Sequence, residues 1–321
     1  MVLVQFLSAA AIVAVSGTIL TKYADRLADK LGISSALIGL LLLSFITSLP
    51  ELGATISVVW HVGKPNIAAG NIFGSNTFNI LIIAVMDFMI GSASLYAISK
   101  VSHTKSALLA MLMTAVSICA ITFGGIGIFG DRIGAETLAL LAVYVGGVYF
   151  IFKEEKESGH HPAEAERESV VFEAGVVFAS GVCVVLAGYW LANVSDEIEL
   201  VTGWGESFVG YIFLAIATSL PELVVSVTAV RLKAYDMAVA NIFGSCFFNI
   251  LMFTLADPFY HAPLLGDVSS VNIGLAAVSF VMLGVAGAAF AAGRRGMRSG
   301  MVKWIIIALY LLGSFVIFSP G

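Results

Sequence analysis

Charged residues are scarce in this sequence. Asp, Glu, Lys and Arg make up only 12% of the 321 residues, whereas a soluble domain usually carries about 25%. Hydrophobic residues make up 59%, and the mean hydropathy is +1.00. This balance excludes an ordinary soluble domain and indicates a protein that crosses a lipid bilayer several times.

Features that would indicate other protein classes are also missing. The net charge is −5 and the one basic cluster, at 294–298, is short, so nothing supports nucleic-acid binding. The chain has no G-x-x-x-x-G-K-[ST] phosphate loop and no H-E-x-x-H zinc motif. We therefore predict that it is not an enzyme and holds no cofactor. The three cysteines all lie in apolar runs, so we expect no disulfide.

Two motifs each occur twice in the chain. Thr-Ser-Leu-Pro-Glu-Leu occupies 47–52 and again 218–223. A second motif, Asn-Ile-Phe-Gly-Ser-Asn-Thr-Phe-Asn-Ile at 71–80, matches 241–250 at eight of ten positions. The first motif recurs after 171 residues and the second after 170. This constant spacing indicates a duplicated unit.

Windows of about 20 apolar residues predict ten transmembrane helices and therefore an all-α membrane protein. We place these spans at 2–21, 34–60, 66–91, 105–129, 134–152, 170–193, 206–230, 236–256, 270–292 and 302–319.

The basic residues predict the orientation of these spans. Fourteen of the sixteen fall in the loops after spans one, three, five, seven and nine, and only Lys64 and Arg132 lie on the opposite face. Because cytoplasmic loops are enriched in Lys and Arg, we predict a multi-pass protein of the cell membrane with both termini outside.

Each half then contains five spans, so the second half enters the membrane from the opposite side. We predict two inverted five-helix repeats, 1–152 and 170–321, joined by an acidic cytoplasmic linker at 153–169. Secondary transporters use this arrangement and bind their ions near the midplane where the repeats meet. We interpret the linker's charge run as solvated rather than as a calcium sensor.

The first motif concentrates oxygen ligands on one face of a helix. Thr47 and Ser48 lie four and three residues before Glu51, so the three side chains are neighbours. Because Pro50 has no N–H, the backbone carbonyl of Ile46 is predicted to be released beside the carboxylate. The second copy provides the equivalent groups at Thr218, Ser219, Glu222 and the Ala217 carbonyl.

The second motif adds a serine and an asparagine in each half. These are Ser75 and Asn79 in the first half, and Ser245 and Asn249 in the second. Every candidate ligand is an oxygen, and Ca²⁺ takes about six to eight oxygens. Neither motif contains His, which argues against Zn²⁺ or Cu⁺. The alternative is that these polar side chains only hold helices together.

Two glutamates give the candidate site its charge. Ionisable groups inside a membrane cost about 2.5–3.5 kcal/mol and are usually functional. Glu51 and Glu222 together carry −2, which one Ca²⁺ neutralises and which sodium ions or protons could neutralise in turn. Competition for the same carboxylates would couple the two fluxes.

These motifs resemble the two alpha repeats of the sodium/calcium exchanger family, within the cation/calcium antiporter superfamily, in its prokaryotic form without a large regulatory loop. The resemblance implies exchange of Ca²⁺ for Na⁺ by alternating access, with a monomer in the lipid bilayer as the functional unit. It also implies ion ligands at Thr47, Ser48, Glu51, Ser75, Asn79, Thr218, Ser219, Glu222, Ser245 and Asn249, and at the carbonyls of Ile46 and Ala217.

The sequence departs from the family pattern at two kinds of position. Ile46 and Ala217 stand where the family commonly has glycine, and Asn249 stands where some prokaryotic members have Asp. Potassium-dependent relatives carry Asp in the second motif of the first repeat, which here is Asn. A proton-coupled or potassium-dependent antiporter therefore stays open, as does, more remotely, a cation channel.

Asp87 and Asp257 form a further symmetric pair, each eight residues beyond the motif asparagine. At about 1.5 Å per residue they lie some 12 Å along the helix from it. We leave two roles open for them, in lining access routes or at the helix ends.

Overall fold

The computed structural model describes residues 2–91, 94–100, 102–128, 133–157, 167–202, 217–293 and 299–318. Among these residues, eight helices are long and apolar enough to cross a membrane, and Gly300–Ser314 is a shorter apolar helix.

The described chain is almost entirely helical. Its one departure is a short antiparallel pair, β1 (Gly127–Ile128) and β2 (Ile133–Gly134), which the all-α prediction did not include. The helices are α1 Val2–Leu31, α2 Ser35–Val62, α3 Pro65–Ile90, α4 Leu95–Ile98, α5 His103–Phe123, α6 Ala135–Glu157, α7 Arg167–Thr202, α8 Leu220–Arg231, α9 Tyr235–Ala256, α10 Val271–Ala292 and α11 Ser299–Phe318.

Eight of the predicted spans correspond to the eight long apolar helices, and the last corresponds to α11. Of the predicted seventh span, residues 206–216 lie outside the described residues, and α8 forms the remainder. The count of ten membrane-crossing helices therefore stays a prediction. The basic cluster at 294–298 also lies outside the described residues.

Several predicted boundaries differ from those of the helices: α1 continues to Leu31 beyond the predicted span 2–21, and α7 continues to Thr202 beyond the predicted span 170–193. The predicted span 105–129 is too long, because α5 ends at Phe123 where Gly124 and Gly125 adopt φ of 83° and 65°. Left-handed backbone of this kind suits glycine and ends a helix. The predicted linker 153–169 falls close to the gap between the apolar spans Ala135–Glu154 and Val170–Val194, while α6 continues to Glu157 and α7 begins at Arg167, so the linker stays a prediction. Its central part, 158–166, lies outside the described residues.

α2 is an interrupted helix. It contains π-helical turns at Ile38–Leu43 and Val58–Val62, and its α-helical pattern breaks at Ser48, whose φ and ψ are −90° and 2°. Ser219, just before α8, has nearly the same angles, −89° and 8°. Each serine stands two residues before a proline that cannot donate to the preceding turn. The repeated proline thus produces the same interruption twice.

α3 and α9 form the buried centre of the bundle. Most of their residues are buried, and in α9 nearly all are. Phe73 contacts Phe253 while Asn76 contacts Asn249, so the numbering rises along α3 as it falls along α9. The two equivalent helices of the duplicated halves therefore run in opposite directions.

α1 and α7, the first helix of each half, also run in opposite directions. Ala9 packs with Leu191 near one end, and Lys30 pairs with Glu173 at 2.7 Å near the other. Both helices expose large apolar side chains on their outer faces. These faces suit contact with lipid.

A close crossing fixes α9 against α2. A Cβ atom added at Gly244 would lie 2.4 Å from the Leu40 carbonyl oxygen and 2.7 Å from Ser44 Oγ. Only glycine permits this approach, which brings the second motif of the second half against the π-helical turn of α2.

Asp87 and Asp257 fasten loops at the ends of the central helices. Asp87 accepts a hydrogen bond from the Leu95 N–H at 2.8 Å and pairs with Lys303 at 3.2 Å. Asp257 accepts from the Leu264 N–H at 2.7 Å and from the Gly134 N–H at 2.9 Å. Of the two roles left open by the sequence, these bonds support the one at the helix ends.

Candidate ion-binding site

The two predicted glutamates meet in the interior of the bundle. Glu51 and Glu222 are 1% and 0% exposed. The serine of each half bonds the glutamate of the other: Ser48 Oγ donates to Glu222 Oε1 at 2.8 Å. Ser219 Oγ donates to Glu51 Oε1 at 3.2 Å. This crossed pair of hydrogen bonds joins the two copies of the first motif into one site.

Each glutamate keeps one oxygen without a hydrogen bond. Oε2 of Glu51 and Oε2 of Glu222 are both buried and have no hydrogen-bond partner among the described residues. Within the part of the chain that the structure describes, neither carboxylate forms an ion pair with Lys, Arg or His. Two buried charges without a counter-charge are costly unless a cation neutralises them.

Thr47 and Ser245 extend this group across the halves. Ser245 Oγ lies 3.4 Å from Glu222 Oε1 and 3.5 Å from Thr47 Oγ1. Thr218 and Ser75 are fully buried as well. The Ser75 hydroxyl has no hydrogen-bond partner among the described residues, so its oxygen is available to a ligand.

The two predicted asparagines have different surroundings. Asn249 Nδ2 donates to Asn76 Oδ1 at 3.1 Å, and the Asn249 Oδ1 is buried with no partner in the part of the chain that the structure describes. The Asn79 amide lies beside the Cys246 thiol, but neither amide atom makes a hydrogen bond of ordinary geometry with a described residue. Neither asparagine hydrogen-bonds a glutamate within the described chain.

That the backbone carbonyls of Ile46 and Ala217 bind ions stays a prediction. The Ser48 N–H donates to the Ser44 carbonyl at 3.1 Å and also points toward the Ile46 carbonyl. Ala217 is buried directly before the second copy of the first motif.

Asn71 and Asn241, the first residue of the second motif in each half, hydrogen-bond the helices that carry the two glutamates. Asn71 Nδ2 donates to Thr55 Oγ1 at 3.1 Å, and Asn241 Nδ2 donates to Ser226 Oγ at 3.0 Å. Each hydroxyl lies four residues after a motif glutamate. The same hydrogen bond therefore joins the helix with the glutamate to the helix with the second motif, α2 to α3 in one half and α8 to α9 in the other.

The donor set consists of oxygen atoms. The described residues contain no cluster of three or more His, Cys, Asp or Glu side chains, so the site depends on two carboxylates with hydroxyl and amide oxygens. Such a set suits hard cations such as Ca²⁺ rather than Zn²⁺ or Cu⁺. That the predicted residues bind ions stays a prediction.

A family model described as sodium/calcium exchanger protein matches residues 1–153 and 172–319. The chain belongs to this family.

Relatives and solved structures are similar over most of the chain. CaxA of Alkalimonas amylolytica is 29% identical over 71% of each chain. The sodium/calcium exchanger MaX1 of Methanosarcina acetivorans is 27% identical over 74% of this chain and 77% of its own. A structure of the sodium-calcium exchanger NCX_Mj has a TM-score of 0.73 at 22% identity, covering 97% of this chain and 98% of that one. This last likeness establishes a common fold.

Beside the predicted residues of this sodium/calcium exchanger family member lies one more buried polar residue, which the sequence reasoning missed. Asn76 is fully buried and bonds Asn249, but it stands at a motif position where the second half has Cys246. Selecting only positions identical in both halves set it aside. Its place directly after Ser75, among the polar residues in the middle of a predicted membrane span, was the available signal.

Proposed function

We propose that the protein is a secondary antiporter that exchanges Ca²⁺ for Na⁺ by alternating access. One observation carries the proposal: two buried glutamates, from opposite halves, accept crossed serine hydrogen bonds, and each has one oxygen that no described residue hydrogen-bonds. The names of its relatives MaX1 and NCX_Mj, both sodium/calcium exchangers, support the choice of ions.

Charge balance supplies the coupling. The two carboxylates carry −2, so a single Ca²⁺ or two monovalent cations neutralise them. An empty site would leave bare charge in a medium of low dielectric, which opposes its passage across the membrane. The protein therefore changes conformation with one kind of ion bound or the other, and the two fluxes are linked.

The directions of the central helices support two inverted repeats, 1–152 and 170–321. α3 and α9 run oppositely, and so do α1 and α7, as expected when a duplicated unit enters the membrane from the other side. We propose the topology with both termini outside the cell membrane and the linker in the cytoplasm.

Transport by purified protein in sealed liposomes tests this function. Calcium uptake is measured under an imposed Na⁺, K⁺ or pH gradient, one at a time, with protein-free liposomes as the control. We expect uptake to require an internal Na⁺ load. Uptake driven only by the pH gradient or only by K⁺ would replace Na⁺ as the coupling ion, and uptake without any counter-ion would indicate a channel.

A further inference from the structure

Asn76 lies where α3 crosses α9, beside the proposed ion site. It is fully buried. Its Nδ2 donates to the Cys246 backbone carbonyl at 3.2 Å, and its Oδ1 accepts from Asn249 Nδ2 at 3.1 Å. One amide therefore links the backbone of α9 to a side chain one turn further along the same helix.

These two bonds can be made in only one direction. A backbone carbonyl accepts but never donates, so Asn76 must turn its NH₂ group toward Cys246. The side-chain carbonyl oxygen of Asn76 then faces Asn249, which must donate to it from its own NH₂ group. The Cys246 carbonyl thus determines, through Asn76, how the Asn249 amide is oriented.

In this orientation the Asn249 amide uses its NH₂ group and leaves its carbonyl oxygen without a hydrogen bond to a described residue. Asn249 Oδ1 is buried and has no hydrogen-bond partner in the described ranges of the chain, although buried polar atoms are nearly always satisfied. Since α9 also carries Ser245, which bonds Glu222, this oxygen lies on the helix that lines the glutamate site. A cation would satisfy it.

We propose that Asn76 is a positioning residue that holds the Asn249 carbonyl oxygen ready for the transported Ca²⁺. This inference rests on the proposed function. Orienting the ligand in advance raises affinity because binding no longer has to fix the amide. The reversed amide would present hydrogens to the ion and repel it.

The first half lacks this device. At the position equivalent to Asn76 the second half has Cys246, and the Asn79 amide lies beside that thiol. A thiol is a weak donor and acceptor, so it cannot fix an amide as another amide does. Orientation of the ligand is therefore a property of Asn249 and not of Asn79.

Equilibrium binding of ⁴⁵Ca²⁺ to purified protein tests the proposal with Asn76→Leu, Asn249→Ala and the double variant. We expect each single change to weaken Ca²⁺ binding about tenfold, the usual size of one lost buried hydrogen-bonding group. The double variant should also lose about tenfold, because Asn76 acts only through Asn249. In transport, the KM for Ca²⁺ should rise while kcat stays. Multiplying losses would overturn the proposal.

Thr77→Val is the matched control. Thr77 is the next residue of α3, and its hydroxyl bonds only the Gly74 carbonyl of its own helix among the described contacts. We expect this variant to bind Ca²⁺ like the wild type. An equal loss for Thr77→Val would show that any change on this helix disturbs binding, and would overturn the specific role of Asn76.

Asn76→Asp keeps the test decisive if the leucine variant does not fold. Aspartate retains the acceptor for Asn249 and lacks the donor for Cys246, so Ca²⁺ affinity should not fall, whereas a purely structural role predicts a loss. If the wild type binds Ca²⁺ and Asn76→Asp loses about tenfold or more, the positioning role fails alone. If the wild type itself binds no Ca²⁺, the proposed function fails, and the positioning role with it.

Discussion

Glu51 and Glu222 each accept a hydrogen bond from the serine of the other half, whereas Asn79 and Asn249, at equivalent positions, have different neighbours. The duplicated unit has kept the charged part of the site symmetric and let a neutral part diverge. A divalent ion needs both charges, and removing either leaves half of its charge unbalanced. A neutral oxygen contributes less, so its surroundings can change at smaller cost.

The largest effect should come from the symmetric pair. Glu51→Gln and Glu222→Gln each leave one buried charge for a divalent cation. Breaking such a pairing costs about 3–5 kcal/mol, or more than a hundredfold in affinity. We expect both variants to lose Ca²⁺ uptake in proteoliposomes to the same extent.

Glu154→Gln is the control for this pair, because Glu154 is partly exposed and pairs with Lys105 away from the site. It should transport normally. Ordinary uptake by Glu51→Gln or by Glu222→Gln would refute a site shared between the halves.

Substitutions of the second symmetric pair, Asp87 and Asp257, should lower thermal stability and leave Ca²⁺ binding unchanged. Asp87→Asn and Asp257→Asn weaken the bonds that fasten the loops after α3 and α9. Each buried, charged hydrogen bond of this kind is worth about 1.5–3 kcal/mol. Thermal unfolding in detergent should occur several degrees lower, with wild-type Ca²⁺ affinity.

Asp267→Asn provides the comparison for those loops, since Asp267 is exposed and bonds Tyr260 at the surface. It should shift the unfolding temperature little. A loss of Ca²⁺ affinity in Asp87→Asn or Asp257→Asn, with unchanged stability, would instead place these residues on the ion's route.

Substitutions of Asn79 and Asn249 should reduce Ca²⁺ affinity less than those of the glutamates, and by different amounts. Asn249→Ala removes an amide that Asn76 orients by a hydrogen bond. Asn79→Ala removes an amide that no described residue orients by a hydrogen bond. We expect about a tenfold loss of Ca²⁺ affinity for the first and about threefold for the second, because an ordered ligand has less freedom to lose on binding. Competition binding with ⁴⁵Ca²⁺ measures both, and equal losses would erase the proposed difference between the halves.

The smallest effect should come from Thr47. Its hydroxyl lies near Ser245 and bonds the Ser44 carbonyl of its own helix. We expect Thr47→Ala to weaken Na⁺ about threefold and Ca²⁺ less, since a divalent ion depends more on carboxylates. The concentration of each ion that gives half-maximal transport, measured in the same liposomes, compares the two losses of affinity. Equal changes for Na⁺ and Ca²⁺ would contradict the prediction.

The repeated motifs predicted the main features of the site from sequence because each rests on local chemistry. Pro50 and Pro221 cannot donate to the preceding turn wherever the chain folds, so the breaks at Ser48 and Ser219 follow from the letters alone. The burial of the glutamates was predictable in the same way, since an apolar span with one carboxylate must turn it inward.

Other features depended on contacts between distant segments. The end of α5 at Phe123 is an exception, because Gly124 and Gly125 mark it locally; it was missed because the residues that follow are as apolar as the helix itself. The π-helical turns of α2 were missed because no residue type announces them. One lies where α9 crosses at Gly244, a contact that the sequence of α2 does not contain.

By itself, the sequence determined that this is a helical membrane protein with a duplicated pair of acidic and hydroxyl motifs, because composition and repeat spacing are properties of the linear chain. Only the tertiary structure decided that Ser48 meets Glu222, that Ser219 meets Glu51, and that Asn76 faces Asn249. Those partners lie more than 160 residues apart, and the crossing of packed helices alone chooses which polar groups meet.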